Sequence, residues 1–98
     1  MKLGFIQKQA LILVQALLGV ISSNFRMISI IENNGKIIVT IIIEIENNED
    51  LEEINDLQSE FEALQEAPVD YEFVIQINDK ELDWPDDNTI VIFRRREF

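Results

Sequence analysis

Residues 25–46, FRMISIIENNGKIIVTIIIEIE, decide the fold of this chain. Two runs rich in β-branched residues, Phe25 to Glu32 and Lys36 to Glu46, flank Asn33-Asn34-Gly35. Asn-Gly adopts the positive φ angles that a two-residue hairpin turn requires, so the segment predicts a β-hairpin. In the second run the odd-numbered residues from Ile37 to Ile45 alternate with other residues, which include Ile38 and Ile42. This pattern predicts a central strand covered on both faces.

Helical periodicity flanks the hairpin on both sides. Apolar residues recur at helical spacing from Leu3 to Ser23, which predicts a first helix with a broad apolar side. A second helix is predicted from Asn47 or Asn48, either of which suits an N-cap, to about Glu66, before Pro68. Its apolar seam is Leu51, Ile54, Leu57, Phe61 and Leu64.

Two further strands follow the second helix. Residues 70–77 alternate as a half-buried strand, and Thr89 to Arg94 form the last one. The order is therefore helix, strand, strand, helix, strand, strand. We predict a single α+β domain over residues 1–98, with a four-stranded, mostly antiparallel sheet and both helices on one face.

The composition excludes several classes of function. The chain contains neither cysteine nor histidine, so it has no thiolate nucleophile and lacks the commonest general base and metal ligand. The three glycines stand far apart and form no phosphate-binding loop. We therefore predict a protein that is not an enzyme and carries no cofactor, although catalysis by carboxylates alone stays open. The lack of cysteine also fits a reducing, cytoplasmic compartment.

The net charge of −11 is concentrated in the second half of the chain. Residues 1–46 contain four basic and three acidic residues, whereas residues 47–98 contain four basic and sixteen acidic ones. Such a field repels nucleic acid and anionic lipid, and it attracts basic proteins. The short run Arg94-Arg95-Arg96 is interpreted as internal counter-charge for neighbouring carboxylates. We predict binding to neither nucleic acid nor membrane.

The candidate binding residues lie mainly between the last two strands. There five acids surround Trp84, a residue type enriched in binding hot spots. Asp79, Glu81 and Asp83 also imitate the start of a calcium loop, but Trp84 stands where that loop needs glycine, so we predict no metal site. The predicted partner-binding residues are Asp79, Glu81, Asp83, Trp84, Asp86 and Asp87, with Asp56, Glu60 and Asp70 as supporting charge.

The whole profile of this chain resembles that of bacterial immunity proteins, which neutralise nuclease toxins of the colicin and contact-dependent growth inhibition kinds. The shared features are the short length, the acidity, the absence of cysteine and histidine, and the α+β plan. No motif carries the resemblance, so it transfers no residue role. It implies a partner: a basic toxin domain whose phosphate-binding cleft an acidic surface would fill.

An alternative function uses the first helix instead of the acidic loop. In this interpretation the exposed part of Phe5 to Ile21 forms a contact between copies in a homo-oligomeric structural or adaptor module. The acidity would then serve only solubility. The positive charges Lys2 and Lys8 before an apolar run also resemble a signal peptide, but Gln7, Gln9 and Gln15 favour a folded helix.

Overall fold

A computed structural model describes residues 4–97 as two helices and one four-stranded sheet. The elements are α1 (Phe5–Ala16), β1 (Phe25–Asn33), β2 (Lys36–Ile43), α2 (Asn48–Ala63), β3 (Tyr71–Ile77) and β4 (Ile90–Arg94). This order confirms the predicted α+β class. The predicted helix start at Leu3 and the charge of Lys2 lie outside the described residues. Within residues 4–97, no helix has both the length and the apolar character needed to cross a bilayer.

The hairpin forms as the sequence predicts. Asn33 pairs with Lys36, and the two residues between them, Asn34 and Gly35, have φ angles of 52° and 83°. Both angles lie in the left-handed region that asparagine and glycine tolerate best. The turn residues therefore fix the register in which β1 and β2 pair.

The sheet has the strand order β3-β2-β1-β4. β1 pairs antiparallel with both β2 and β4, whereas β2 and β3 are parallel. The parallel pair exists because α2 returns the chain to the end of the sheet at which β2 began. The prediction of a mostly antiparallel sheet is confirmed, and its mixed character comes from this single crossover.

Both helices pack on the same face of the sheet, as predicted. α1 contributes Leu13 and α2 contributes Ile54, Leu57 and Phe61 to one buried cluster with the sheet. The Phe61 ring makes edge-to-face contacts with Tyr71 at 5.4 Å and with Phe73 at 5.5 Å between ring centroids. From the sheet, the fully buried members of the cluster are Phe25, Ile28, Ile30, Ile37, Val39, Ile41 and Ile43.

The opposite face of the sheet is covered by a loop, residues 78–89, rather than by a helix. The loop starts beside the end of β2, where the Asn78 amide donates to the Ile43 carbonyl at 2.9 Å, and it ends at β4 beside the hairpin. Halfway along it, Leu82 is buried against Met27 and Ile42. The loop therefore crosses the helix-free face and closes a second, smaller apolar cluster.

Several element ends differ from the sequence predictions. α1 ends at Ala16 rather than near Ser23, and the chain then turns through Gly19, whose φ is 82°. β2 ends at Ile43, which leaves Ile45 exposed rather than in the core. Ile75 and Ile77 of β3 are exposed as well, because the contacts of α2 with this edge strand are made at Tyr71 and Phe73.

Candidate partner-binding surface

The loop at residues 78–89 is held in place by side chains at both of its ends. At its start, the Asn78 Oδ1 atom accepts a hydrogen bond of 2.8 Å from the Lys80 amide. At its end, the Asp86 Oδ1 atom accepts one of 3.0 Å from the Asn88 amide and one of 3.4 Å from the Thr89 hydroxyl. These local turns, together with buried Leu82, give a loop of acidic residues a defined conformation.

Trp84 is the large aromatic residue of this loop, and 67% of it is exposed. The guanidinium of Arg94 lies over its indole ring, 4.5 Å from the centroid. Arg94 is itself held by a hydrogen bond of 2.9 Å from its Nη2 atom to the Leu82 carbonyl. The cation–π contact therefore fixes one face of Trp84 while the rest of the ring faces solvent.

The predicted loop acids all lie on the protein surface. Asp79 forms an exposed ion pair of 3.6 Å with its neighbour Lys80, whereas Asp86 caps the turn described above. The six predicted loop residues lie on one segment that crosses the helix-free face of the sheet. We call them the loop surface: Asp79, Glu81, Asp83, Trp84, Asp86 and Asp87.

The three supporting residues lie elsewhere. Asp56 and Glu60 are exposed on α2, which packs on the opposite face of the sheet from Leu82. Asp70 precedes β3, and its carbonyl accepts a hydrogen bond of 2.9 Å from the Ile37 amide. The sheet therefore separates Asp56 and Glu60 from the loop surface, and Asp70 lies at the start of β3, at the opposite edge of the sheet from β4.

Helix α2 carries a second concentration of acid. Its exposed carboxylates are Glu49, Glu52, Glu53, Asp56, Glu60 and Glu62. Within residues 4–97 none of them forms an ion pair. Asp50, which the sequence groups with them, is instead buried, and it accepts hydrogen bonds of 2.8 Å from the Ser22 hydroxyl and from the side-chain amide of Asn24. Asp50 therefore joins α2 to the segment before β1.

The N-cap of α2 is Asn47, one of the two predicted candidates. Its Oδ1 atom accepts a hydrogen bond of 3.1 Å from the Asp50 amide. The acids of the first turn, Glu49 and Asp50, lie where the helix dipole favours negative charge. The acid in this part of α2 therefore also has a structural role.

A compact ionic cluster joins the C-terminal segment to the sheet. Arg26 is buried and binds Glu97 through two hydrogen bonds of 2.7 and 2.8 Å, while a third bond of 2.6 Å reaches the Asn78 carbonyl. Arg95 pairs with Glu97 at 2.9 Å and with Glu44 at 2.6 Å. The hydrogen bonds from Arg26, with those from Arg95, lower the pKa of Glu97 to about 2.

The arginine run is thus only partly the counter-charge that the sequence predicts. Arg95 neutralises Glu44 and Glu97, and the hydrogen bond to Glu44 raises the pKa of its guanidinium. Arg94 differs, because it contacts the Trp84 ring, the Leu82 carbonyl and the Met27 sulfur atom. The run therefore supports both the loop surface and the C-terminal segment.

Sequence reasoning missed two residues that shape the surface. Leu82 is a lone apolar residue between Glu81 and Asp83, and such a residue in an acidic loop could have indicated that the loop packs against the sheet. Arg26 is a single charge within an apolar strand, which is a weaker indication that it pairs with an acid elsewhere in the chain. Within residues 4–97, no three carboxylates are grouped so that they could hold a metal ion.

Exposed carboxylates around an exposed aromatic ring are features of protein-binding surfaces rather than of small-molecule sites. The model of the MafI2 immunity protein family matches residues 7–97, which is nearly the whole chain. The chain therefore belongs to the MafI2 immunity protein family. Immunity proteins neutralise toxins, and theirs is not a family of enzymes. No curated protein matches the chain.

Proposed function

We propose that this chain binds a basic, nuclease-type toxin domain through the loop surface and thereby neutralises it. The toxin would be of the kind that acts in contact-dependent growth inhibition or among colicins. The proposed encounter takes place in the cytoplasm, since the absence of cysteine favours a reducing compartment. Membership of an immunity protein family supports a toxin as the partner.

One observation carries the choice of the loop surface. Trp84 is exposed, is held by Arg94, and lies in a loop with five acids. A fixed aromatic side chain loses little conformational freedom when it enters a pocket on a partner. The surrounding carboxylates attract a cationic domain and set its orientation. The loop surface therefore combines an anchor with a steering field, whereas the aromatic residues beside the acids of α2, Phe61 and Tyr71, are buried or half-buried.

In the proposed inhibition, the carboxylates of the loop surface compete with the phosphates of the nucleic acid for the positively charged cleft of the toxin. A nuclease must keep a positively charged cleft for the phosphates of its substrate, and that cleft also attracts carboxylates. Insertion of the loop surface into the cleft would exclude the nucleic acid. Asp56, Glu60 and Asp70 would add only to the long-range field, since they lie away from the loop surface.

The first experiment measures association with a basic, nuclease-type toxin domain, which we expect to be encoded directly upstream of this gene. We expect the triple variant Asp83→Asn, Asp86→Asn, Asp87→Asn to lower the association rate constant about tenfold at low salt. A matched control removes three charges from α2 through Glu49→Gln, Glu52→Gln and Glu53→Gln, and we expect it to change the rate less than about threefold. Stopped-flow measurements at several salt concentrations give both rates.

The second experiment tests the anchor. We expect Trp84→Ala to increase the dissociation rate constant by at least about tenfold with little effect on association, as hot-spot residues do. Circular dichroism checks that the variant is folded. Equal losses from the loop triple and the α2 triple would assign binding to overall charge. Unchanged binding by Trp84→Ala together with the loop triple would refute the proposal.

A further inference from the structure

A second exposed surface lies at the edge of the sheet formed by β4. It consists of four apolar residues from α1 and the turn that follows it: Leu11, Val14, Leu18 and Ile21. Leu18 is 78% exposed, and each of the others is at least 40% exposed. We call these residues the apolar patch. Together they expose roughly 400 Å² of side-chain surface, within the range of the largest patch on a typical monomer.

The patch continues onto the edge of the sheet. A shallow cavity of about 210 Å³ is lined by Val14, Leu17, Leu18 and Ile21 on one side and by Ile92 and Phe93 of β4 on the other. β4 is an edge strand, paired only with β1 among residues 4–97. A register shift at Ile92 interrupts this edge, and such irregularities oppose extension of a sheet by another strand. A partner on this surface would therefore bind to its side chains.

The charges around the patch argue against the toxin as its occupant. Residues 5–24 contain one charged residue, Lys8, and no acid, and β4 contributes only Arg94. The acids that reach the segment after Ile21 are already bonded, Asp50 to Ser22 and Asn24, and Glu44 and Glu97 to Arg95. A basic domain therefore finds little complementary charge here. Each copy of this chain has a net charge of −11, so two copies repel each other wherever their acidic surfaces meet. They can approach most closely through a surface that carries no acid.

We infer that the apolar patch is the contact between two copies of this chain, related by a two-fold axis. The patch is a single surface that includes both helix and turn residues, which suits an isologous contact in which the same residues meet from both sides. Two such patches bury roughly 800 Å², and the surrounding rim, which includes Ile92 and Phe93, would supply the rest of the area of about 1,200 Å² at which specific interfaces begin. The inference is independent of the toxin proposal.

Sedimentation velocity on the purified chain tests this contact. We expect a dimer of twice 11.4 kDa that dissociates on dilution and becomes tighter as salt screens the repulsion between copies. Leu18→Asp should raise the dimer dissociation constant at least about tenfold. Ile45→Asp and Ile77→Asp are matched controls, since each adds one charge at an exposed apolar residue outside the patch, and both should leave the dimer intact.

Cysteine cross-linking locates the contact. The chain has no cysteine, so single variants report only on the introduced position. Under mild oxidation we expect Val14→Cys or Leu18→Cys to give a disulfide-linked dimer and Ile77→Cys to give none. A monomer at all concentrations, a dimer that survives Leu18→Asp, or cross-linking at Ile77→Cys alone would overturn the inference. Loss of toxin binding by Leu18→Asp in a monomeric chain would overturn it as well and would assign the patch to the toxin.

Discussion

The two faces of the sheet differ in what covers them. On one face, two helices close a large core around Phe61, Leu13 and the central strands. On the other face, a loop closes a small cluster of Met27, Ile42 and Leu82. Buried apolar area is the main source of stability, so the helix face holds the fold together. The loop face contributes less stability, and it carries the exposed aromatic residue that we assign to binding.

Acidity alone does not distinguish the binding surface of this protein. Both faces carry exposed carboxylates, on α2 and on the loop. On α2 these carboxylates occupy the solvent side of a helix whose other side is core. On the loop they surround Trp84, which Arg94 fixes in position.

The largest expected effect is on the helix face. Phe61→Ala removes a fully buried ring that contacts Tyr71 and Phe73, so we expect a loss of about 3–5 kcal/mol in the free energy of unfolding. Urea denaturation followed by circular dichroism measures it. Phe61→Leu keeps most of the volume and should cost less. A loss below about 1 kcal/mol for Phe61→Ala would mean that this face is not the main source of stability.

On the loop face, Leu82→Ala should cost about 2 kcal/mol, the low end for a buried leucine, because its cluster is small. Trp84 is the single tryptophan, so its fluorescence reports whether the loop keeps its conformation. We expect altered emission in Leu82→Ala and normal emission in the exposed-site control Ile45→Ala. A loss as large as that for Phe61→Ala would remove the difference between the two faces.

At the junction of the loop and the C-terminal segment, Glu97→Gln should destabilise the fold in a pH-dependent way. The pKa of Glu97 is lowered to about 2 from an ordinary value of 4.5, so its ionised form stabilises the folded state. The loss caused by Glu97→Gln should be complete above pH 4.5 and should disappear as the pH falls toward 2. We expect it to be smaller than the loss at Leu82, because solvent reaches the Glu97 carboxylate.

Urea denaturation of the unmodified protein and of Glu97→Gln between pH 7 and pH 2.5 measures the loss in the free energy of unfolding at each pH. Comparison at each pH removes the effect of the other carboxylates, which titrate in both chains. Glu32→Gln is a control, since Glu32 is exposed and forms no ion pair within residues 4–97. A loss at Glu97→Gln that stays constant with pH would show that the ion pairs with Arg26 and Arg95 do not stabilise the fold.

The smallest expected effect is a gain on α2. Asp56→Lys places a lysine four residues after Glu52 on the exposed side of the helix, which stabilises helices by about 0.3–0.5 kcal/mol. Thermal unfolding measures the gain. If the loop surface binds the toxin, this change should slow association less than the loop triple does. A large loss of toxin binding in Asp56→Lys would show that α2, rather than the loop, binds the toxin.

Several features of the fold could be predicted from the sequence because local residues determine them. Asn34 and Gly35 fix the hairpin turn, Asn47 caps α2, and the apolar seam of α2 identifies Ile54, Leu57 and Phe61 as core. Each depends on the conformational preference or the spacing of neighbouring residues. The element ends were less predictable, as at Ala16, because the first helix stops before its apolar pattern does.

The candidate surface could be predicted only in part. The acids around Trp84 are adjacent in the sequence, so their proximity was visible without a structure. The separation of Asp56 and Glu60 from them was not, because it depends on which face of the sheet each segment covers. The contact of Trp84 with Arg94 likewise joins two segments through the pairing of β4 with β1.

Composition and local periodicity are sufficient to predict the class of fold, the hairpin and the excess of acid in the second half of the chain. The positions of β3 and β4 at opposite edges of the sheet, and the path of the loop between them across the helix-free face, depend on tertiary packing. The pairing of buried Arg26 with Glu97, 71 residues away, depends on the same packing. Contacts between distant segments depend on how whole elements pack, which no local pattern of residues specifies.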